Sequence, residues 1–519
     1  MTQFQSHAAL IDALRNPACY PHPVKSVRLI ETHISWVLLA GRYTYKIKKP
    51  VDLGFLNFSD LELRRFYCEE EIRINRRLAG TLYRQVVAIG GSPERPVFGE
   101  APAFEYAVKM RRFAAGHVLD QVLARGELTP DHIDVLAVTV ADFHAALAPV
   151  SGDSNYGRAE VVVEPVRENF RQLSTLLPDG ELPRLLELQP ASEAEFERCR
   201  PLLEQRRRLG MIRECHGDLH LGNIVLLRGR PTPFDAIEFN PSLRWIDVIS
   251  DVAFLLMDLL HRERGDLAYR LIDRYLQAGG DYAGLGVLRF YLGYRAMVRA
   301  KVCALRAVQG DAAAWDSCRR YLRQTGRIFT EIPCPALIIT YGLPGCGKTT
   351  LSQILLEKLG AVRIRSDVER KRLFGLKATD NSASSIDGGI YTPQATELTY
   401  RRLLDLARQI LGYGFITIVD AAFLRADERR QFQALAAELD VPFAILSIAS
   451  DDTELRRRIA QRRNDASEAG VDVYQRLKAA AEPLTDAEMP HVVACDNSGP
   501  IDDSLVARVR ERLDWCSQA

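Results

Sequence analysis

The stretch Gly342-Leu-Pro-Gly-Cys-Gly-Lys-Thr349 fits the pattern G-x-x-x-x-G-K-[ST] at every fixed position. A short apolar run, residues 336–341, precedes it and predicts a buried strand of a parallel sheet. An apolar stretch that predicts a helix, residues 351–359, follows it. In this setting glycines let backbone N–H groups turn inward around phosphate oxygens, at the start of a helix whose dipole favours anions. Strand, loop and helix in this order therefore predict a P-loop NTPase domain.

This loop supplies the residues expected to hold a nucleotide. We expect Lys348 to reach the β- and γ-phosphates of ATP and to act in the transfer step, and Thr349 to hold Mg²⁺. The candidate nucleotide-binding residues are Gly342, Gly345, Gly347, Lys348, Thr349 and Thr350.

Carboxylates follow two further predicted strands, at the edge where an open α/β sheet binds its ligands. Asp367 comes after residues 361–364 and is a candidate acceptor for the proton of an attacking hydroxyl, with a helix N-cap as the alternative. Asp420 follows residues 415–419, where a carboxylate would lie near Mg²⁺. Arg458 and Arg462 share one face of a predicted helix. They are expected to close over the transferred phosphate, unless they form a solvated basic face.

This half of the chain, about residues 336–519, resembles the small P-loop kinases. The resemblance rests on GLPGCGKTT, on D-x-x-R at Asp367 and Arg370, on VDAAF (419–423) and on RRRIAQRRNDASEA (456–469). Members include gluconate kinase, chloramphenicol phosphotransferase, polynucleotide kinase and the zeta-toxin group. The resemblance implies ATP-dependent phosphorylation of a small hydroxylated substrate with Asp367 as general base. Residues 378–400, where acceptors usually bind, match no substrate-defining pattern.

A second constellation lies in the first half, at His216-Gly-Asp-Leu-His-Leu-Gly-Asn223. The spacing H-x-D-x-x-x-x-N, followed by Asp235 between apolar residues, is typical of the catalytic loop of kinase-like phosphotransferases. Asp218 is expected to accept the hydroxyl proton, and Asn223 and Asp235 to bind Mg²⁺. We expect Asp251 to brace this loop by hydrogen bonds. His216 should support the loop, and His220 is interpreted as structural.

A kinase-like fold also needs a lysine on a strand, paired with a glutamate on a helix. Residues 43–49 supply two lysines on one face of a predicted strand, Lys46 and Lys48, of which we favour Lys46. Residues 69–78 supply the helix, where Glu71 is favoured over Glu70. The alternative for the lysines is a charged edge strand.

Residues 25–330 resemble the aminoglycoside phosphotransferase-like kinases in this lysine, the glutamate and the Asp218 loop. The predicted first turn, residues 31–35, lacks the glycine-rich loop of protein kinases. Residues 104–111 look like the strand that leads to the hinge between the lobes. The expected fold is α+β and α/β: a bilobal protein-kinase-like domain, residues 1–332, and then a P-loop NTPase domain with a parallel sheet, residues 336–519. This order of domains resembles that of bacterial two-domain proteins.

Composition narrows the class of protein. The chain has 519 residues, 47% hydrophobic and 26% charged, which excludes a disordered or collagen-like protein. Its 68 basic and 67 acidic residues leave a net charge of +1, so a general nucleic-acid binder is not expected. The most apolar helix candidate, residues 252–260, is too short to cross a membrane. Ten cysteines without a CxxC pair, and no signal peptide, favour a cytoplasmic protein.

Three hypotheses for function follow. The first is a bifunctional enzyme with two ATP sites and two acceptor pockets. The second is one active P-loop kinase regulated by a nucleotide-sensing first half. The third is a zeta-like toxin kinase that the first half restrains. The sequence favours the first, because Asp218, Asn223, Asp235 and a strand lysine are all present.

Overall fold

The computed structural model describes residues 3–52, 54, 56–331, 334–378, 380–382, 388–461, 471–499 and 504–513. The chain forms two compact units. Unit 1 comprises Met1–Leu136, Phe143–Pro165 and Leu203–Leu255. Unit 2 comprises Ala137–Asp142, Val166–Leu202 and Leu256–Ala519. The domain boundary predicted near residue 333 separates two fold families, and the two compact units do not test it. It falls on residues outside the described ranges and stays a prediction.

The part of the chain before the second predicted domain contains both strands and helices in its first third and is mainly helical beyond, with four short strands. Its helices are α1 (Gln3–Ala13), α2 (Leu61–Ala79), α3 (Leu119–Ala124), α4 (Pro130–Ala146), α5 (Ala159–Leu176), α6 (Leu182–Arg208), α7 (Val248–His261), α8 (Gly265–Gly279), α9 (Leu285–Val308) and α10 (Ala314–Thr330). Its strands are β1 (Val27–Glu31), β2 (Ser35–Ala40), β3 (Tyr43–Lys48), β4 (Tyr83–Ser92), β5 (Arg95–Phe98), β6 (Glu105–Arg111), β7 (Ile212–Glu214), β8 (Ile224–Leu227), β9 (Arg230–Pro233) and β10 (Trp245–Asp247).

Unit 1 is built on an antiparallel sheet with the strand order β1-β2-β3-β6-β4-β5. The predicted strands at residues 43–49 and 104–111 are β3 and β6 within one residue at each end. The first turn closes without glycine, because the Thr32 hydroxyl accepts the N–H of Ser35 at 2.9 Å. Gly41, at a φ of +57°, makes the next turn.

Helix α2 crosses between β3 and β4 and carries the predicted glutamates. It starts at Leu61, earlier than the helix predicted at residues 69–78, because the Asp60 side chain caps the N–H groups of Glu62 and Leu63. Its buried face packs with β4 and β6 around Cys68 and Val108. Beyond α6 the helices are interrupted by two antiparallel ribbons, β7 with β10 and β8 with β9. These ribbons hold the Asp218 loop.

The rest of unit 2 is the predicted P-loop fold. Its strands are β11 (Leu337–Tyr341), β12 (Val362–Arg365), β13 (Thr417–Asp420), β14 (Phe443–Ala449) and β15 (Val492–Asp496). Its helices are α11 (Lys348–Leu359), α12 (Ser366–Leu373), α13 (Pro393–Gly412), α14 (Ala426–Glu438), α15 (Asp452–Gln461), α16 (Val471–Ala480) and α17 (Leu505–Arg512). All five strands are parallel in the order β12-β13-β11-β14-β15. The phosphate loop therefore leaves the central strand.

Among the residues that the structure describes, no helix has both the length and the apolar character needed to span a membrane.

Candidate active sites

The first site is a buried cluster of charges between β3 and α2. Lys46 and Lys48 point to the same side of β3, and both contact Glu71. Lys46 Nζ lies 3.0 Å from Glu71 Oε1, and Lys48 Nζ lies 2.8 Å from Glu71 Oε2. The charged-edge-strand alternative is wrong, because β3 lies between β2 and β6 and the Lys48 side chain is fully buried.

The two lysines differ in their second partners. Lys46 Nζ lies 2.7 Å from Oδ1 of Asp235, whose side chain is 43% exposed, whereas Lys48 pairs with the buried Glu238. Burial lowers the pKa of Lys46, but the negative charges of Asp235, Glu71 and Glu238 outweigh it and hold that pKa above its ordinary value. Lys46 is therefore a charged lysine beside an accessible carboxylate, and Lys48 is a cation enclosed within the cluster.

Glu70, the alternative to Glu71, points elsewhere. It forms ion pairs with Arg73 at 2.7 Å and with Arg244 at 3.2 Å. Glu71 is buried on the face of α2 that meets β3, and Glu70 is one residue round the helix, about 100° away. The structure thus pairs Glu71 with the lysines.

The loop between β7 and β8 carries Asp218 and Asn223. Asn223 Nδ2 donates to Asp218 Oδ2 at 2.7 Å and to the Asp218 carbonyl at 3.0 Å. The Asp218 side chain is 34% exposed, so its carboxylate is open to a ligand. The N–H of Phe234 donates to the Asn223 carbonyl at 2.8 Å, which ties this loop to Asp235.

Asp251 braces the same loop, as predicted. Its Oδ2 accepts the N–H of His216 at 3.0 Å, and its Oδ1 accepts the N–H of Gly217 at 2.8 Å. His216 supports the loop from the other side, since its Nε2 lies 2.9 Å from the Phe234 carbonyl. His220 accepts the N–H of Gly222 at Nδ1, which leaves its Nε2 proton facing Asp218 Oδ2 at 3.4 Å.

The second site is the phosphate loop between β11 and α11. Lys348 Nζ donates to the carbonyls of Gly342 at 2.9 Å and Leu343 at 3.0 Å, so it lies inside the curve of the loop. A Cβ atom on Gly347 would lie 2.1 Å from the Asn497 amide, and one on Gly345 would lie 3.0 Å from the Leu455 carbonyl. Both positions have positive φ angles. Only glycine forms this cradle without a clash, and its size and N–H groups suit a phosphate.

Oxygen donors gather at the start of α11. The Thr349 hydroxyl donates to Asp420 Oδ2 at 2.8 Å, and Arg365 Nε lies 3.5 Å from the same oxygen. Thr350 is exposed on the next position of the helix. A hydroxyl beside a carboxylate at a phosphate loop is the donor set that Mg²⁺ takes, so these residues fit that ion. Arg365 was not among the predicted residues, and its place at the end of β12 was the only signal for it.

Asp367 lies at the second position of α12, just beyond the end of β12. Its side chain is partly exposed and has no hydrogen-bond or ion-pair partner in the described parts of the chain. The N-cap alternative is wrong, because the helix starts after Arg365 and no side chain caps it. The register pairs Arg365 with Asp420, so Asp367 and Asp420 emerge at the same edge of the sheet.

The arginines of the predicted lid divide between described and undescribed residues. Arg458 donates to the Asn497 carbonyl at 2.8 Å and to Glu454 at 2.6 Å. Its Nη1 would be 3.8 Å from a Cβ on Gly347, so Arg458 lies beside the phosphate loop. Arg462 belongs to a stretch that the structure does not describe.

Glu428, in the first turn of α14, was missed by sequence reasoning. Burial raises the pKa of Glu428 to about 7, although a hydrogen bond with Tyr400 opposes the shift. The Tyr400 hydroxyl also accepts the N–H of Phe423 at 3.2 Å, and Tyr400 is near enough to Arg370 to feel its charge. An acidic residue in a first helical turn is ordinary, so no local pattern marks Glu428.

We expect Glu428→Gln to change how stability depends on pH. The raised pKa means that folded Glu428 keeps its proton between about 4.5 and 7 while the unfolded side chain loses it, so this group makes the free energy of unfolding fall as pH rises through that window. Glutamine should remove that part of the fall. Urea unfolding on both sides of the window measures it. Glu438→Gln on the same helix is the control, because Arg408 lowers the pKa of Glu438. Equal pH dependence in the wild type and Glu428→Gln would contradict the expectation.

Comparisons with known proteins match both halves. A family model described as the phosphotransferase enzyme family matches residues 69–291, and one described as an AAA domain matches residues 337–484. The GDP complex of wild-type aminoglycoside 2'-phosphotransferase-IIIa aligns with 63% of this chain and all of its own, at 15% identity and a TM-score of 0.39. A sugar kinase from Janibacter sp. aligns with 35% of this chain and 95% of its own, at 19% identity and a TM-score of 0.28.

Relatives of full length come from mycobacteria. An uncharacterized protein of Mycobacterium tuberculosis and one of Mycobacterium bovis are each 30% identical to this chain over 495 residues. The aligned region covers 94% of this chain and 96% of each relative. The protein therefore belongs to the same family as these mycobacterial proteins. It consists of a kinase-like phosphotransferase domain followed by a P-loop kinase-like domain.

Proposed function

We propose that this protein is a bifunctional ATP-dependent phosphotransferase that phosphorylates hydroxyl groups of small molecules at two separate sites. One observation carries the proposal. In two places a lysine suited to gripping phosphate lies close to a carboxylate suited to binding a metal: Lys46 beside Asp235, and Lys348 in the loop next to Thr349 and Asp420. Phosphoryl transfer asks little more of a protein than such positioning and neutralisation of charge.

At the first site, Lys46 would hold the phosphates and Glu71 would hold Lys46. Asp218 would accept the proton of the acceptor hydroxyl. The hydroxyl oxygen would bond to the γ-phosphorus of ATP as the bond from that phosphorus to ADP breaks. The Asp218 carboxylate is solvent-accessible, and Asn223 fixes its orientation from one side. His220 Nε2 lies 3.4 Å from the same carboxylate oxygen and would help to hold its orientation.

At the second site, Lys348 would turn from the loop carbonyls to the phosphates, and Asp367 would take the hydroxyl proton. Among the described residues this aspartate has no hydrogen-bond or ion-pair partner, and it lies at the ligand edge of the sheet, where it could take up a proton. Arg458 beside the loop would add positive charge near the transferred group, with Arg462 as its proposed companion. Thr349 and Asp420 would hold Mg²⁺ here, and Asn223 and Asp235 would do so at the first site. When bound, the ion neutralises charge on the phosphates.

The acceptor of the second site is proposed to carry an anionic group. Arg370 is buried, and no carboxylate of the described chain lies within ion-pair distance of it. Its Nη1 donates to the Ile390 carbonyl at 3.0 Å and to the Thr396 hydroxyl at 3.1 Å, and its Nε has no hydrogen-bond partner among the described residues. A buried guanidinium without a counter-ion is costly, and a carboxylate or phosphate of the acceptor would supply the missing charge.

The proposed setting is the cytoplasm. None of the nine cysteines that the structure describes forms a disulfide, which is the state expected in a reducing compartment. The proposed partners are ATP and small hydroxylated substrates, with no part for a membrane or for nucleic acid.

Two nucleotides should bind per chain, one at each site. We expect calorimetry of the full chain with a non-hydrolysable ATP analogue and Mg²⁺ to show two sites. Lys348→Ala should remove one and Lys46→Ala the other, because each lysine serves its own phosphates. One site in the wild type, lost in Lys348→Ala, would contradict the bifunctional proposal and favour a first half without its own nucleotide. The acceptors would then be sought by incubating the protein and ATP with a metabolite extract and detecting phosphorylated products by mass spectrometry.

A further inference from the structure

Arg363 is a buried arginine in unit 2. It lies on β12, and its side chain is 1% exposed. Its Nη1 donates to the Thr349 carbonyl at 2.9 Å and to the Ser352 hydroxyl at 3.0 Å. Its Nη2 donates to Gln353 Oε1 at 2.7 Å and to Asp273 Oδ2 at 2.9 Å. One guanidinium therefore joins the first turn of α11 to a carboxylate on α8.

The contacts on α11 bear directly on the phosphate loop. Thr349 and Ser352 are three residues apart, on one face of the helix, so the guanidinium fixes the rotation of that first turn. The Thr349 hydroxyl, on the same residue whose carbonyl Arg363 binds, donates to Asp420. A shift of the turn would move the hydroxyl away from this carboxylate. Arg363 thus acts on the oxygen donors through the backbone of Thr349.

Asp273 supplies the counter-charge from far away in the sequence. Its side chain is fully buried, and among the described residues it is the carboxylate that forms an ion pair with Arg363. Gln277, one turn further along α8, donates to the same Oδ2 at 2.6 Å. Asp273 lies within the stretch matched by the phosphotransferase family, whereas Arg363 lies within the stretch matched by the AAA family. A carboxylate from the phosphotransferase-family stretch therefore neutralises the arginine that binds the first turn after the phosphate loop.

Close packing keeps α8 in place against α11 and β12. A Cβ on Gly360, at the end of α11, would lie 2.8 Å from the Tyr269 ring, so only glycine allows this approach. Arg270 Nη1 lies 2.9 Å from Glu357 Oε1, and Arg372 of α12 donates to the Gln277 carbonyl. With these contacts on both sides of it, Asp273 has little freedom to leave Arg363.

We propose that Asp273 and Arg363 are positioning residues for the P-loop site, through which α8 of the phosphotransferase-family half sets the Mg²⁺-dependent binding of a nucleotide at Thr349. The inference rests on the proposed function in one respect, that the loop binds a nucleotide with Mg²⁺. It adds that a P-loop domain lacking α8 would bind that complex less well. Partners of a metal ligand typically change metal affinity by about 10- to 100-fold when they are removed.

The test uses the full chain carrying Lys46→Ala, so that the P-loop site is observed alone. Binding of a fluorescent ATP analogue is measured with Mg²⁺ and with EDTA. Asp273→Asn should weaken binding by about tenfold or more with Mg²⁺ and change it little with EDTA. Asp266→Asn, an aspartate near the start of the same helix that pairs with Arg264, is the matched control and should behave as the parent. Asp273→Asn binding like the parent with Mg²⁺ would overturn the inference.

A double variant separates positioning from simple folding. Replacing the pair together, Asp273→Leu with Arg363→Met, leaves no unbalanced charge, and such replacements often preserve stability. We expect the melting temperature of this variant to be close to that of the parent. Mg²⁺ should still not tighten its binding of the nucleotide, because nothing holds the Thr349 carbonyl. Recovery of the parent's Mg²⁺-dependent binding would show a merely structural pair and overturn the inference. If the parent itself bound no nucleotide that Lys348→Ala abolished, the proposed function of the loop would fail instead.

Discussion

Asp218→Asn should lower formation of the first-site product by about 10²- to 10⁴-fold, the usual contribution of a positioned base. Asparagine keeps the shape of the side chain and its contact with Asn223 but cannot take a proton. Nucleotide binding should survive, because Lys46, Glu71 and Asp235 are untouched. The first measurement is the rate at which each phosphorylated product forms from a metabolite extract, resolved by mass spectrometry. The second is calorimetric binding of the ATP analogue.

Two controls accompany this variant. Asp131→Asn replaces an exposed aspartate near the start of α4 and should leave every product unchanged. The second-site product should also be unchanged in Asp218→Asn. Loss of all products would mean that the two reactions are coupled or that one site alone is catalytic. An undiminished first product would show that Asp218 is not the base.

Asp367→Asn should have the reverse effect, with a loss of about 10²- to 10⁴-fold in the second-site product alone. In the part of the chain that the structure describes, this aspartate has no partner that a neutral side chain would disturb, so the fold and the phosphate loop should be unaffected. The same product assay measures it. Asp405→Asn, at an exposed position of α13, is the matched control.

Retained activity in Asp367→Asn would remove Asp367 from the reaction without touching the assignment of Lys348. Glu428 would then be the next carboxylate to test as base, because its pKa, raised by burial to about 7, suits proton transfer near neutral pH.

Much of the fold could be predicted from local pattern. The strand before the loop, the loop and α11 occupy nearly the predicted residues, because a buried strand and a phosphate loop each need particular residue types at fixed spacing. The same holds for β3 and β6, which lie within one residue of the predicted strands. The sequence also predicted that Asp251 braces the loop by hydrogen bonds, and the structure shows these bonds.

Pairings between distant residues could not be predicted in the same way. Period two puts Lys46 and Lys48 on one face of β3, but only the packing of β3 against α2 and Glu238 decides that Lys46 meets Asp235. The strand order of the parallel sheet depends likewise on long-range packing. In the sequence, Arg458 is part of an ordinary basic helix face. Only the fold places Asn497 beside it.

The sequence by itself determined the two constellations and their order along the chain, because each is a local run whose chemistry needs its residues close together. Only the tertiary structure decided that the carboxylate opposite Arg363 is Asp273, 90 positions upstream. Nothing near either residue marks the pair. A buried charge needs a counter-charge in space rather than in sequence, and the folded chain alone determines which one it finds.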